Sequence, residues 1–89
     1  MARVQVYTMG SCPFCVRAKR LLRARGIPYD EIDVGGDAEA RADLVRRTGR
    51  RTVPQIFIDG RAIGGFAELA TLDARAELDR LVEDDGDDA

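Results

Sequence analysis

The sequence predicts an α/β domain with the element order β-α-β-α-β-β-α, and three observations carry that expectation. Arg3-Val4-Gln5-Val6-Tyr7 has the alternation and β-branched content of a short strand, and it runs into an amphipathic helical pattern. A second alternating stretch, Tyr29 to Val34, is again followed by a helical pattern. Gln55-Ile56-Phe57-Ile58 then meets Asp59-Gly60, a dipeptide that favours the two-residue β-hairpin. An α/β unit, a hairpin and a closing helix together use nearly all of the 89 residues, which make one domain with a small core. Hydrophobic residues at 45% and charged residues at 34% describe an ordinary soluble globule rather than a disordered chain.

Each element has its own justification. Pro13 suits the first turn of a helix, because the N–H it lacks would have had no intrahelical partner there. Phe14, Ala18, Leu21 and Leu22 form the apolar face of that helix, with Arg17, Lys19, Arg20 and Arg23 on the other. Gly26-Ile27-Pro28 stops it near Arg25. After the turn at Gly35-Gly36, Asp37 caps a helix that runs to about Arg47, with an apolar stripe at Ala38, Ala42 and Val45 and Leu44 beside it. Arg46, Arg47, Arg50 and Arg51 read mostly as a solvated basic patch. Pro54 cannot donate to a sheet ladder and belongs at the start of its strand, and from base rates alone it reads as a trans turn proline. Arg61-Ala62-Ile63 is the hairpin's second strand, and Gly64-Gly65 opens a helix near Phe66. Leu69 and Leu72 share one face, and the stripe then slips to Leu78, Leu81 and Val82. That slip predicts a break near Asp73, with Asp73 capping a last short helix. Residues 83–89, Glu-Asp-Asp-Gly-Asp-Asp-Ala, form an acidic tail with nothing to bury and are expected to be disordered.

Both cysteines lie in Ser11-Cys12-Pro13-Phe14-Cys15, where a strand ends and a helix begins. A thiol at that position faces unpaired backbone N–H groups and the positive end of the helix dipole. A free thiol with a pKa of about 8.5 is only roughly 3% thiolate at pH 7. Helix N-termini and C-x-x-C motifs lower the value to roughly 3.5–7.5. Cys12 therefore reads as the attacking sulfur, and Cys15, a turn further in, as the resolving one. A zinc site wants four Cys or His ligands, and the chain has two Cys and no His. A structural disulfide wants an oxidising compartment and usually closes a longer loop. A net charge of −2 gives no general reason to expect nucleic acid as a partner. The absence of a long apolar run or a charged-then-apolar leader leads to the expectation of a cytoplasmic protein without a membrane span.

Tyr7-Thr8, Cys12-Pro13-Phe14-Cys15, Thr52-Val53-Pro54-Gln55-Ile56-Phe57-Ile58 and Ile63-Gly64-Gly65 resemble the motifs of bacterial dithiol glutaredoxins of the glutaredoxin 3 type, in order and spacing. The resemblance runs from about Arg3 to Val82 and places the glutaredoxin domain at residues 1–82. It implies a thioredoxin-like fold, a four-stranded mixed sheet flanked by three helices, with the proline after Thr-Val in the cis form beside the dithiol. The activity implied is glutathione-dependent thiol–disulfide exchange, with Cys12 and Cys15 catalytic. The implied glutathione site comprises Cys12, Phe14, Arg51, Thr52, Val53, Pro54, Gly65, Phe66 and Ala67. In it the tripeptide lies along Thr52-Val53-Pro54 as an added strand. Its γ-glutamyl end meets the helix start at Gly65-Phe66-Ala67, and its glycyl carboxylate lies near Arg51. Glutathione is the reducing co-substrate and no metal is expected. The implied partners are glutathionylated or disulfide-containing proteins, ribonucleotide reductase among the candidates, acted on by a monomer.

Three positions depart from the family pattern. Met9 stands where a lysine is common, Phe14 where tyrosine is usual, and Phe66-Ala67-Glu68 where a cysteine and polar or acidic residues usually follow Gly-Gly. Two other readings use the same motifs. One is a donor reduced by thioredoxin reductase instead of glutathione, and the other an iron–sulfur dimer bridged through Cys12 with glutathione as ligand. Pro13 disfavours the second, because it stiffens the loop that would have to open around a cluster.

Overall fold

Alternation along the first strand decides the layering of the protein. In a computed structural model describing residues 2–83, Val4, Val6 and Thr8 of β1 (Val4–Thr8) are buried, while Gln5 and Tyr7 between them are half-buried on the opposite face. The chain continues through α1 (Pro13–Ala24), β2 (Asp30–Asp33), α2 (Ala38–Thr48), β3 (Gln55–Ile58), β4 (Arg61–Gly64), α3 (Phe66–Ala74) and α4 (Leu78–Glu83). The strands form one mixed sheet in the order β2-β1-β3-β4. β1 runs parallel to β2 and antiparallel to β3, and β3 and β4 are antiparallel. The expected α/β architecture is present, with the closing helix divided into α3 and α4.

One face of the sheet carries the main core. Val4 pairs with Ile58 and Val6 with Ile56, and all four join Ala18 and Leu22 of α1, Leu69 of α3 and Leu78 and Val82 of α4. Leu22, Ile56 and Leu69 are fully buried, and each such side chain contributes about 1.5–3 kcal/mol of transfer free energy. The second face is smaller. Tyr7 and Phe57 meet edge to face at 5.3 Å, and the Arg47 guanidinium lies 4.3 Å from the centre of the Phe57 ring and donates to the Tyr7 hydroxyl at 3.2 Å. Arg47 therefore covers an aromatic pair instead of belonging to a solvated patch. Leu44 is the buried residue of α2, whereas Ala38 and Ala42 of the expected stripe are exposed. The cause is size: the small alanines gain little from burial, so the leucine sets the helix's rotation.

Local chemistry ends the helices as the sequence allows. Asp37 accepts the Ala40 N–H at 3.0 Å and caps α2. At the end of α1, Gly26 (φ 69°) donates to the Arg23 carbonyl at 3.0 Å and Ile27 to the Leu22 carbonyl at 2.9 Å, the paired bonds of a Schellman motif. The same pair closes α3, from Ala76 to Asp73 (3.0 Å) and from Glu77 to Leu72 (2.8 Å), but Ala76 occupies the left-handed position with φ 58°. The break therefore falls at Arg75–Glu77, and Asp73 stays inside α3, gripped by Arg25 at 2.7 and 2.8 Å. That grip holds the Asp73 carboxyl below its ordinary range, so its contribution to stability is lost as pH falls through the lowered value. No glycine marks this stop, which is why the sequence placed it early. α4 runs through Glu83, one residue past the expected domain boundary, and the rest of the expected acidic tail, residues 84–89, lies outside the described residues.

A left-handed alanine costs roughly 1–2 kcal/mol, and glycine there would lose about 0.5–1 kcal/mol to unfolded-state entropy. Ala76→Gly should therefore stabilise the fold by about 0.5–1 kcal/mol, which is a rise in Tm of about 2–8 °C for a domain of this size. Differential scanning calorimetry measures it, and an unchanged or lower Tm would contradict the assignment of Ala76 as the stop.

Candidate active site

Three segments far apart in sequence meet at the C-terminal end of β1. The first is the junction of β1 with α1. Cys12 is the N-cap of α1, with extended backbone (φ −145°, ψ 101°), and Pro13 follows at the first helical position. The Cys12 Sγ accepts the Cys15 N–H at 3.1 Å, so the sulfur serves where a Ser or Asp oxygen ordinarily caps. Cys12 and Cys15 are joined as a disulfide, with their Cα atoms 5.1 Å apart. Cys12 is half-buried, whereas Cys15 is only 3% exposed. When the disulfide opens, the Cys15 N–H remains beside the outer sulfur, and a hydrogen bond to an anionic acceptor is the stronger kind.

The second segment is Thr52-Val53-Pro54. The Val53–Pro54 peptide is cis, as the family resemblance implied and against the base-rate reading of a trans turn. Pro54 is buried, and the Val53 carbonyl oxygen lies 3.6 Å from the Cys12 Sγ, across 41 residues of sequence. Gln55 holds this segment from behind. Its buried side chain donates to the Thr52 carbonyl at 2.9 Å and to the Thr52 hydroxyl at 3.3 Å. Nothing in the strand pattern marked Gln55 for that role, although a glutamine flanked by apolar strand residues is itself a sign of a side chain with inward partners.

The third segment is the start of α3. A Cβ on Gly65 would stand 3.3 Å from the Pro54 carbonyl oxygen, so the two backbones approach with no side chain between them. The first intrahelical bond runs from Leu69 to Gly65 at 3.1 Å, leaving the N–H groups of Phe66 and Ala67 without intrahelical partners. The Gly65 N–H is engaged by the Glu68 carboxylate at 2.7 Å, and Arg50 grips the same carboxylate with both terminal nitrogens at 3.3 Å. The Arg50 hydrogen bond first, and the Gly65 N–H second, hold the Glu68 carboxyl below its ordinary range. The link from Arg50 to α3 was not visible in the sequence, because the two residues lie 18 apart with the hairpin between them.

The remaining expected residues divide between two sides. Phe14 is 52% exposed and pairs with Phe66 at 6.1 Å, which brings the start of α3 against the segment that carries the two cysteines. Arg51 lines a groove of about 400 Å³ with Met9, Val34, Arg41, Val45 and Val53, and its guanidinium makes no hydrogen bond or ion pair among the described residues. The Ala67 side chain faces a different groove, beside Ile63, Thr71 and Leu72.

Comparison with known proteins bears on this arrangement. The Glutaredoxin family model matches residues 4–63. Glutaredoxin 3 of Escherichia coli (strain K12) is 48% identical over 83 residues, covering 93% of this chain and all of the relative. A glutaredoxin of Pseudomonas aeruginosa is 43% identical over 82 residues, with 92% of this chain and 98% of the relative covered. The chain belongs to the glutaredoxin family. Among solved structures, the solution structure of a Brucella melitensis glutaredoxin superposes with a TM-score of 0.85 at 42% identity, covering 93% of this chain and 90% of that one. The crystal structure of a buckwheat glutaredoxin–glutathione complex superposes with a TM-score of 0.86 at 28% identity, covering 93% and 78%. The chain is thus a thiol–disulfide oxidoreductase, and Cys12 and Cys15 are the two cysteines its sequence supplies for that chemistry.

The exposure difference between the sulfurs makes a testable statement. After full reduction, a limiting amount of iodoacetamide at neutral pH should alkylate Cys12 well before Cys15. Peptide mapping by mass spectrometry reads the order, and equal labelling would contradict the assignment of Cys12 as the accessible sulfur.

Proposed function

We propose that this protein uses glutathione to reduce protein disulfides and glutathione mixed disulfides, with Cys12 as nucleophile and Cys15 as resolving thiol. The observation that carries the reading is the placement of Cys12 at the α1 N-cap, facing the Val53 carbonyl of the cis-proline segment. In the reduced protein the Cys12 thiolate attacks the glutathione sulfur of a protein–glutathione disulfide. The protein thiolate leaves and takes up a proton, and Cys12 carries the glutathione. A second glutathione thiolate attacks that bound sulfur, releasing oxidised glutathione and restoring the Cys12 thiolate. In the dithiol route Cys15 attacks Cys12 instead, glutathione leaves as thiolate, and two further glutathiones reduce the resulting disulfide.

The residues fit a tripeptide disulfide. The Val53 backbone gives it an extended edge to lie along, as a short added strand. The N–H groups of Phe66 and Ala67 suit the γ-glutamyl carboxylate, and Arg51 is an uncommitted guanidinium for the glycyl carboxylate. Glu68 supplies a negative charge for the γ-glutamyl ammonium once Arg50 shares its hold. Dithiols of this kind work in the cytoplasm, where reducing conditions keep them cycling, and a monomer suffices because one chain contributes all of these groups.

A glutathione-coupled assay on a glutathionylated peptide tests the reading. Cys12→Ser should abolish turnover. Cys15→Ser should keep removal of glutathione from the peptide and lose reduction of protein disulfides that require both thiols. No glutathione-dependent turnover by the wild type, alongside turnover with thioredoxin reductase, would put the reductase-linked reading in its place.

Met9 provides a finer measure. A lysine there would join Arg41 and Arg51 on the same groove, and an exposed charge pair contributes roughly 0.2–1 kcal/mol, about 1.4- to 5-fold in affinity. Met9→Lys should raise kcat/KM for glutathione within that range, through KM, with a gain that shrinks as salt screens the charge. A gain of orders of magnitude would show that the backbone contacts do not suffice for glutathione use.

A further inference from the structure

We propose that the groove between α1 and α3 docks the segment of the protein substrate flanking its disulfide, and that it selects segments both apolar and acidic. The proposal rests on the oxidoreductase reading above and adds the class of protein it takes. The groove has a volume of about 340 Å³, room for a few side chains, and its floor is apolar: Leu21 and Ala24 from α1, Phe66 and Ala70 from α3. It adjoins the Cys12-Pro13-Phe14-Cys15 segment through a pair of rings. Phe66, which forms part of the floor, pairs with Phe14 at 6.1 Å, and Phe14 lies between the two cysteines in the chain. Phe14 and Val16 are the exposed large hydrophobics among the described residues, and both belong to the first turn of α1. An apolar surface at a reactive sulfur marks a contact surface more than a solvent boundary.

Charge decides the rest. Arg17 and Arg20 stand on the rim of the groove. Neither guanidinium makes an ion pair or hydrogen bond among the described residues, although Arg17 stacks 5.1 Å above the Phe14 ring. Other arginines are committed: Arg23 to the Tyr29 hydroxyl, Arg25 to Asp73, Arg47 to the aromatic pair and Arg50 to Glu68. The acid at the groove's far end, Asp73, is neutralised by the two-pronged grip of Arg25, so it does not repel an incoming carboxylate. An apolar floor under two uncommitted arginines complements a segment with apolar anchors and acidic neighbours. Phe66 of the floor and its ring partner Phe14 are also two of the places where the chain departs from its family's usual residues.

The test uses a pair of peptides with the same apolar residues, one bearing Asp and Glu and the other Asn and Gln. The reactive cysteine is replaced by serine so that no disulfide can form. Titrated into ¹⁵N-labelled reduced protein at about 0.15 M salt, the acidic peptide should shift the amides of Leu21, Ala24, Phe66 and Ala70. It should bind more tightly than its neutral twin by about 2- to 25-fold, the range for two exposed ion pairs. The double variant Arg17→Glu with Arg20→Glu should erase or invert that preference. Arg20→Gln alone, which leaves the stack on Phe14 intact, should reduce it part-way. Equal affinity for the two peptides, or shifts confined to other surfaces, would overturn the proposal. The cysteine forms of the same peptides, glutathionylated, separate the two readings. Groove shifts without any glutathione turnover would defeat the glutathione-dependent reading and leave the docking surface standing. Equal turnover of both peptides without groove shifts would do the reverse.

Discussion

The antiparallel pairing of β1 with β3 is the contact on which the site depends. Val4 opposite Ile58 and Val6 opposite Ile56 fix the register, and Tyr7 lies opposite Gln55. The residues just beyond each strand must then face one another, so the loop leaving β1 reaches Cys12 as the segment entering β3 reaches Val53. A slip of one residue would turn Ile56 and Ile58 to the opposite face. That slip costs the burial of two buried isoleucines, which is several kcal/mol at about 1.5–3 each. The active-site geometry is therefore held by the hydrophobic core and needs no bond of its own between the two motifs. Gln55 refines it by tying Thr52 from within.

Charge has several distinct uses in so small a protein. Some arginines are structural: Arg47 over Phe57 shields an aromatic pair that the exposed residues of α2 do not cover, and Arg41 donates to the carbonyls of Val34 and Gly35 at 3.1 and 2.7 Å. Arg25 joins α1 to α3 through Asp73 and so fixes the far end of the groove between them. Arg50 joins the loop after α2 to the start of α3 through Glu68, bridging two of the three segments that form the site. Each of these groups is partly open to water, so their effect lies in orientation more than in stability. A composition with 34% charged residues does not show which charges are spoken for.

Most of the fold was legible because local rules agreed with one another. Pro13, Asp37, Gly26 and the Asp59-Gly60 pair are punctuation whose meaning does not depend on the rest of the chain, and Asp59 and Gly60 adopt the positive φ values, 51° and 81°, that the tight hairpin requires. The cysteine pair was legible for the same reason: its chemistry follows from a strand–helix junction alone. Where the reading failed, tertiary context had overruled a local pattern. The stripe of Ala38, Ala42 and Val45 yielded to Leu44, since a single leucine gains more from burial than alanines do. The end of α3 came later than expected, because Ala76 took a conformation usually left to glycine. Long-range partners such as Arg50 with Glu68 had no local trace.

On the proposed glutathione reading, the three departures from the family pattern fall where side chains, not backbone, would meet the ligand, and this would account for how the site can bear them. Gly65 keeps the start of α3 bare on the side of the cis-proline segment, and Gly64 leaves room for the Glu68 side chain. A Cβ on Gly64 would stand 2.8 Å from the Glu68 side chain, and one on Gly65 3.3 Å from the Pro54 carbonyl. The slot between the two segments is therefore made of peptide groups, and its donors and acceptors are the same whatever residues occupy positions 9, 14 and 67. On that reading, backbone recognition of a tripeptide would demand only that the two segments keep their separation, which the sheet register and the Arg50–Glu68 bridge support. Side-chain identity around the slot is then free to vary with another requirement. In this chain it has moved toward apolarity, as Phe14 and Phe66, on the side where the proposed groove would take a segment of a protein substrate.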